Sequence, residues 1–129
     1  SFLILAQFGP QQIISIDTNY AKFAIPFDVD NDGLIDIVSA MFSEGKIVWY
    51  KNQDGAGNFS SEIIINNDVS AIDGMELFDI NDDGKKDILF KTNLDEIAWI
   101  ENLDGQGGFG VKNIISNSNY PYFINAADM

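Results

Sequence analysis

Short apolar segments alternate with turn residues along the whole chain. Each segment is rich in β-branched and aromatic residues and is bounded by Gly, Asn, Asp or Ser, which is typical of strands. None of them carries the 3.6-residue apolar period of an amphipathic helix. The pattern therefore predicts an all-β fold. The first four strands, A to D, are expected at 20–28, at 35–41, through Trp49 and at 59–65.

The same four-strand pattern then occurs a second time. Residues 47–52 align with 97–102, and residues 52–59 align with 102–109. The period is 50 to 51 residues, and self-similarity at such a period indicates a repeat protein. The second set of strands A to D is expected at 72–80, 86–92, 96–102 and 108–115.

Fragments of this repeat occur at both ends of the chain. Residues 8–15 resemble the strand-D segments 59–65 and 109–116, and residues 120–128 overlay 20–28. Four antiparallel strands in each period of this length are typical of a β-propeller blade, which buries little apolar surface unless it stacks on a neighbour. Because closed rings use four to eight blades, a partial propeller is expected.

This pattern divides the chain into five predicted parts. Residues 1–7 are a short apolar run with a small residue at Ala6, which is typical of the end of a signal peptide. An ordinary buried strand is the alternative, and the run is too short to span a membrane. The parts are a signal-peptide remnant at 1–7, a lone, ring-closing D-type strand at 8–19, a first repeat at 20–69, a second repeat at 70–119 and the start of a truncated third repeat at 120–129.

Between strands A and B, each repeat carries the acidic motif D-x-[DN]-x-D-G-x-x-D. The two copies occupy residues 28–36 and 79–87 and lie 51 residues apart. The motif places side-chain oxygens at loop positions 1, 3, 5 and 9, and its glycine at position 6 permits a sharp turn. Calcium takes six to eight oxygen ligands, and carboxylates packed this closely repel one another without a cation. Each loop is therefore a candidate Ca²⁺ site, with a metal-free acidic β-turn as the alternative.

Composition and charge narrow the function classes. The formal net charge is −13, and the seven Lys and Arg residues are scattered, which argues against nucleic-acid binding. A hydrophobic content of 46% excludes a disordered acidic tail. The chain contains neither Cys nor His, which removes disulfides, zinc–thiolate sites, thiol nucleophiles and histidine acid–base catalysis. Catalysis would rest on carboxylates that the metal needs, so the protein is not expected to be an enzyme.

Two further recurring motifs have structural interpretations. Residues 54–57 and 104–107 are predicted to be β-hairpin turns, because Asp-Gly and Gly supply the positive φ that such turns need. Trp49 and Trp99 recur at equivalent positions and are predicted to pack between blades rather than to serve as sugar-stacking platforms. Asn31 and Asp82, at position 4 of their loops, are predicted to face solvent.

Taken together, these motifs resemble the FG-GAP-like repeats of the VCBS type, which are bacterial relatives of the integrin α-subunit propeller repeat. The resemblance covers residues 7–129. It is carried by the two acidic loops, by the "DIVSA" and "DILFK" strands that follow them, by the "WYKN" and "WIEN" strands, and by the Phe-Gly pairs at 8–9 and 109–110. It implies a calcium-binding β-propeller in a secreted or cell-surface protein that serves adhesion, recognition or scaffolding.

Two calcium sites are predicted. Positions 1, 3, 5 and 9 are expected to contribute side-chain oxygens and position 7 a backbone carbonyl. Position 12, where an EF-hand carries Glu, is Ser39 in one copy and Phe90 in the other. Because Asn81 replaces an Asp, the second site is expected to be less negative and weaker. The predicted ligands are Asp28, Asp30, Asp32, Leu34 and Asp36 in the first loop, and Asp79, Asn81, Asp83, Lys85 and Asp87 in the second.

The expected partners are an unidentified protein or glycan ligand and further repeats of the parent chain, with no nucleic acid and no membrane span. Two alternatives stay open. One is an accessory propeller domain of a polysaccharide-active enzyme, which a catalytic domain in a longer reading frame would reveal. The other is a small lectin that oligomerises to complete its ring, which glycan binding by a defined oligomer would support.

Overall fold

The computed structural model describes residues 10–15 and 20–117, which fold as two four-stranded antiparallel sheets. The strand order is β1-β2-β3-β4 in the first sheet and β5-β6-β7-β8 in the second, so each sheet is an antiparallel meander. The all-β prediction and the four-strand blades are confirmed. The strands are β1 (Ala21–Phe27), β2 (Asp36–Met41), β3 (Lys46–Tyr50), β4 (Ile63–Asn66), β5 (Ile72–Phe78), β6 (Asp87–Thr92), β7 (Ile97–Asn102) and β8 (Phe109–Ser116).

Seven of these strands lie where the turn residues predict them, and β4 begins later than expected. It begins at Ile63, whereas Phe59 makes only an isolated bridge to Asn52. There the Ser60 N–H donates to the Lys51 carbonyl at 2.8 Å, whereas the Lys51 N–H donates to the Ser60 hydroxyl at 3.0 Å. In the second sheet the equivalent residue is Gly110, which has no side chain to compete, and β8 runs on from Phe109.

The two sheets share the same irregularity at the start of their first strand. The register of β1 against β2 shifts between Ala21 and Phe23, and that of β5 against β6 shifts between Ile72 and Gly74. These positions are equivalent in the repeat. After the shift, each pair runs in register to its acidic loop, where Phe27 lies opposite Asp36 and Phe78 lies opposite Asp87. The two loops therefore hold the same place in their sheets.

The main core lies between the two sheets. Side chains alternate across a strand, so β3 directs Ile47 and Trp49 into this core and Val48 and Tyr50 to the opposite face of the first sheet. Phe90 of β6 is fully buried in the shared core. The buried members of that core are Val29, Val38, Ala40, Ile47, Trp49, Val69, Ile72, Met75, Ile88, Phe90, Ala98 and Ile100. Because both sheets contribute, each stabilises its neighbour, as stacked blades do.

The predictions for the two ends of the chain lie mostly outside the described residues. This holds for the signal-peptide remnant at 1–7, for the start of a third repeat at 120–129 and for part of the strand predicted at 8–19. Residues 10–15 are described, and they form irregular chain instead of the predicted strand. No strand among the described residues pairs with them. An extended segment without such a partner lacks the ladder bonds that define a strand.

The first sheet spans 21–66 and the second 72–116, within the predicted repeats at 20–69 and 70–119. No helix in the described part of the chain is long and apolar enough to cross a membrane.

Candidate metal centre

The two acidic loops follow the same backbone path. The first joins β1 to β2, with positive φ at Asn31 (58°) and at Gly33 (85°). In the second the equivalent residues are Asp82 (61°) and Gly84 (84°). The glycine at position 6 makes the sharp turn that the motif predicts. The left-handed residue at position 4 adds a second turn, and Asn and Asp adopt this conformation more readily than most residues.

The carboxylate at position 1 organises each loop from within. One oxygen of Asp28 accepts the Asp32 N–H at 3.1 Å, and the other accepts the Gly33 N–H at 2.9 Å. Asp79 accepts the equivalent pair of N–H groups in the second loop at 3.1 and 2.8 Å. These backbone hydrogen bonds curl the loop around the carboxylate.

The carboxylate at position 9 ties the loop to the third strand of its sheet. Asp36 is fully buried, and its two oxygens accept the Val29 N–H at 2.9 Å and the Asn52 N–H at 2.7 Å. Asp87 makes the equivalent bonds in the second repeat at 2.9 and 2.8 Å. Burial raises the pKa of Asp36, although the two N–H donors oppose that shift. Sequence reasoning treated position 9 only as a metal ligand and missed this role.

The first loop brings three carboxylates together. Oxygens of Asp28, Asp30 and Asp36 lie within 4.8 Å of one another. All three are oxygen donors, the type that calcium prefers, and the backbone curls around them. The donor set therefore fits a hard divalent cation. Asp32 is not a member of this group, and the backbone N–H of Leu34 donates to one of its oxygens at 2.9 Å.

A lysine from the first sheet meets the first loop. The Lys51 ammonium, just after β3, donates to Asp30 and, at 2.8 Å, to Asp32. These hydrogen bonds raise the pKa of Lys51, and the one to Asp32 lowers the pKa of that carboxyl. Sequence reasoning missed this residue. The available signal was its place in the aligned "WYKN" and "WIEN" segments, where the second repeat has Glu101 instead.

The second loop keeps the backbone pattern but has different side-chain contacts. The Asn81 oxygen accepts the Asp83 N–H at 3.2 Å, and its amide nitrogen donates to Glu101 at 3.0 Å and to an Asp83 oxygen at 3.2 Å. The Lys85 ammonium contacts that same Asp83 oxygen at 2.5 Å, and this hydrogen bond lowers the pKa of Asp83. Within residues 20–117, the three-carboxylate group of the first loop has no equivalent here.

Comparison with known families finds a similarity in the part of the chain that carries these loops. A family model described as FG-GAP-like repeat matches residues 28–90. This segment is similar to the FG-GAP-like repeat. The match begins at Asp28, the first position of the first loop, and ends at Phe90 in β6, so it includes both acidic loops. No curated protein and no solved structure matches the chain.

A buried asparagine joins the acidic loop to the next turn of each sheet. The Asn52 amide nitrogen donates to the Ile35 carbonyl at 3.0 Å, and its oxygen accepts the Gly55 N–H at 2.9 Å. Asn102 makes the equivalent contacts to Lys86 and Gly105 at 3.3 and 2.8 Å. Glycines with positive φ form both turns, as predicted. The loop and the turn thus form one rigid end of each sheet.

The first acidic loop also contacts the following turn of the second sheet. Asn31 is exposed, as predicted, and its amide donates to the Gly105 carbonyl at 2.8 Å. Trp49 is 4% exposed, and a Cβ at Gly107 would lie 2.9 Å from its ring. The predicted packing of Trp49 between blades is confirmed, while Trp99 stays partly exposed. Both contacts depend on how the two sheets stack.

Proposed function

We propose that this chain is a calcium-binding repeat module of a secreted or cell-surface protein, of the VCBS type, serving adhesion, recognition or scaffolding without catalysis of its own. The observation that carries the proposal is the first-loop group of Asp28, Asp30 and Asp36, whose oxygens lie within 4.8 Å of one another. The family match, which includes both loops, supports it.

Each loop would hold one Ca²⁺ through its own oxygens, and the ion would supply positive charge to a carboxylate cluster. The proposed ligands are Asp28, Asp30, Asp32, Asp36 and the Leu34 carbonyl in one loop, and Asp79, Asn81, Asp83, Asp87 and the Lys85 carbonyl in the other. Because ligands of this kind come together only in the folded chain, binding free energy becomes folding free energy.

A structural role for the ion follows from what the same carboxylates already do. Position 1 curls the loop, and position 9 joins it to the third strand through the buried Asp36 or Asp87. An ion held by these groups would link the first three strands of each sheet. An ion that links strands in this way would have a structural role, which supports a module that binds rather than catalyses.

Further repeats of the parent chain are the partner that the packing supports. Trp49 of the first sheet is buried against Gly107 of the second. Trp99 occupies the equivalent position in the second sheet and is more exposed. A following blade would cover Trp99 as the second sheet covers Trp49. An outside protein or glycan would then be the ligand of the assembled module.

Thermal unfolding in calcium and in a chelator tests the proposal. Calcium is expected to raise the Tm of the wild-type chain relative to EDTA. Asp30→Ala combined with Asn81→Ala, which removes position 3 from both loops, should abolish most of that difference. Asp68→Ala is the matched control, because this exposed Asp lies outside both loops and its variant should keep the full calcium response. A wild-type Tm that is the same in calcium and in EDTA would contradict the proposal.

A further inference from the structure

We propose that Lys51 is a tethered cation that competes with the divalent ion for the first loop, whereas Glu101 at the equivalent position favours the ion in the second. This inference rests on the proposed calcium binding. It predicts that the second loop binds Ca²⁺ more tightly, which is the reverse of the expectation from Asn81 alone.

The contacts of Lys51 carry the first half of the inference. Its ammonium bridges Asp30 and Asp32, the side chains at loop positions 3 and 5. It reaches them from the end of β3, across 21 and 19 residues of sequence, so the contact depends on the folded sheet. One positive charge already relieves the repulsion between these two carboxylates. A cation that uses both must first displace the ammonium.

The contacts of Glu101 carry the second half. Its carboxylate accepts a hydrogen bond from the Asn81 amide nitrogen at 3.0 Å. That bond fixes the amide so that its oxygen points back to the loop, where it accepts the Asp83 N–H. The Glu101 carboxylate thus adds, beside the loop, the negative charge that Asn81 lacks. Its hydrogen bond also orients the Asn81 oxygen toward the loop, where calcium would bind. The structure assigns Glu101 a positioning role and no direct contact with the ion.

The second loop also has a lysine, but this lysine contacts fewer of the predicted calcium ligands. Lys85 lies on the loop itself, and its ammonium contacts Asp83 at position 5 while Asn81 at position 3 has no lysine partner. The ion must therefore displace one ammonium contact in the second loop and two in the first. Lys51 therefore offsets the charge of two ligand positions in the first loop, and Lys85 offsets that of one in the second.

A site-resolved calcium titration of the full chain tests the inference. The backbone amides of Gly33 and Gly84 each donate to the position-1 carboxylate of their own loop, so their ¹⁵N–¹H signals report the two loops separately. In the wild type, Gly84 should reach half-saturation at a calcium concentration roughly twofold to fivefold lower than Gly33, the size expected for one additional partly exposed ion pair.

Single substitutions then test the roles of Lys51 and Glu101 separately. Lys51→Met should lower the Gly33 midpoint by roughly fivefold to tenfold and leave Gly84 unchanged. Glu101→Gln should raise the Gly84 midpoint and leave Gly33 unchanged. Lys46→Met is the control, because Lys46 contacts Glu44 and Glu62 and neither loop, and both midpoints should stay at their wild-type values.

The outcomes distinguish this inference from the proposed function. If neither glycine amide responds to calcium in any protein, calcium binding itself is wrong. If both respond but Lys51→Met leaves the Gly33 midpoint at its wild-type value, calcium binding stands and the role of Lys51 is overturned. Should Lys51→Met fail to fold, the wild-type Lys51 side-chain ammonium signal replaces it. It must change at the same calcium concentration as Gly33, and an unchanged signal overturns the inference.

Discussion

Asp36 and Asp87 are fully buried carboxylates, and each holds three segments of its repeat together. Burying a charge is costly unless hydrogen bonds compensate it. Here both oxygens of each carboxylate accept backbone N–H groups, at 2.7 to 2.9 Å. These groups therefore stabilise the loop whether or not a metal is bound. The repeat can keep its acidic loop folded and still respond to an ion.

The buried hydrogen bonds of Asp36 lead to a prediction for the metal-free protein. Asp36→Asn turns one of two acceptors into a donor that faces a backbone N–H, leaving that N–H unsatisfied in a buried position. The free energy of unfolding should fall by about 2 kcal/mol in EDTA. Urea denaturation measures it.

Asp30→Asn in the same loop is the matched control. Asp30 is only half-buried, and its main partner is the partly exposed ammonium of Lys51, so its variant should lose under about 1 kcal/mol in EDTA. Equal losses for the two variants would mean that the buried hydrogen bonds of Asp36 do not stabilise the loop.

At the scale of the strand and the turn, one glycine is constrained more by packing between the sheets than by its own backbone conformation. Gly107 has a φ of 96°, and a Cβ there would lie 2.9 Å from the Trp49 ring. Gly33 has a similar φ of 85°, but no atom of the described residues lies within 4 Å of its Cβ position. The two positions thus separate backbone strain from steric contact.

Alanine at these two positions should therefore have unequal costs. Gly33→Ala adds only the strain of a left-handed residue, about 1 kcal/mol. Gly107→Ala adds the same strain and also pushes the Trp49 ring, for a further loss of about 1–3 kcal/mol. Urea denaturation followed by Trp fluorescence in EDTA would measure both. If Gly107→Ala proves no more destabilising than Gly33→Ala, the packing of Trp49 against this turn is not as described.

Strand positions could be predicted from sequence because turn residues bound each apolar segment and the whole pattern occurs twice. The late start of β4 could not, because spacing does not reveal local contacts such as the one from the Lys51 N–H to the Ser60 hydroxyl. The acidic loops were visible as spacing along the chain. The contacts of Lys51 and Glu101 with them were not, because they depend on which strand end the sheet brings beside each loop.

At the scale of the whole molecule, the two sheets share one core and meet at their loop ends. Phe90, Trp49 and their neighbours fill the space between the sheets, and Asn31 bonds to Gly105 across it. An ion in the first loop would therefore influence the contact with the second sheet as well as its own strands. Calcium is expected to stabilise the pair of blades as a unit.

Isothermal titration calorimetry of the full chain with CaCl₂, starting from EDTA-treated protein, is the direct test of calcium binding. Two ions are expected to bind per chain, with one of the two lost in a variant that carries Asn81→Ala alone. Binding should be specific for calcium over magnesium, which demands stricter octahedral geometry than these loops offer. No heat of binding above the dilution control would contradict the account.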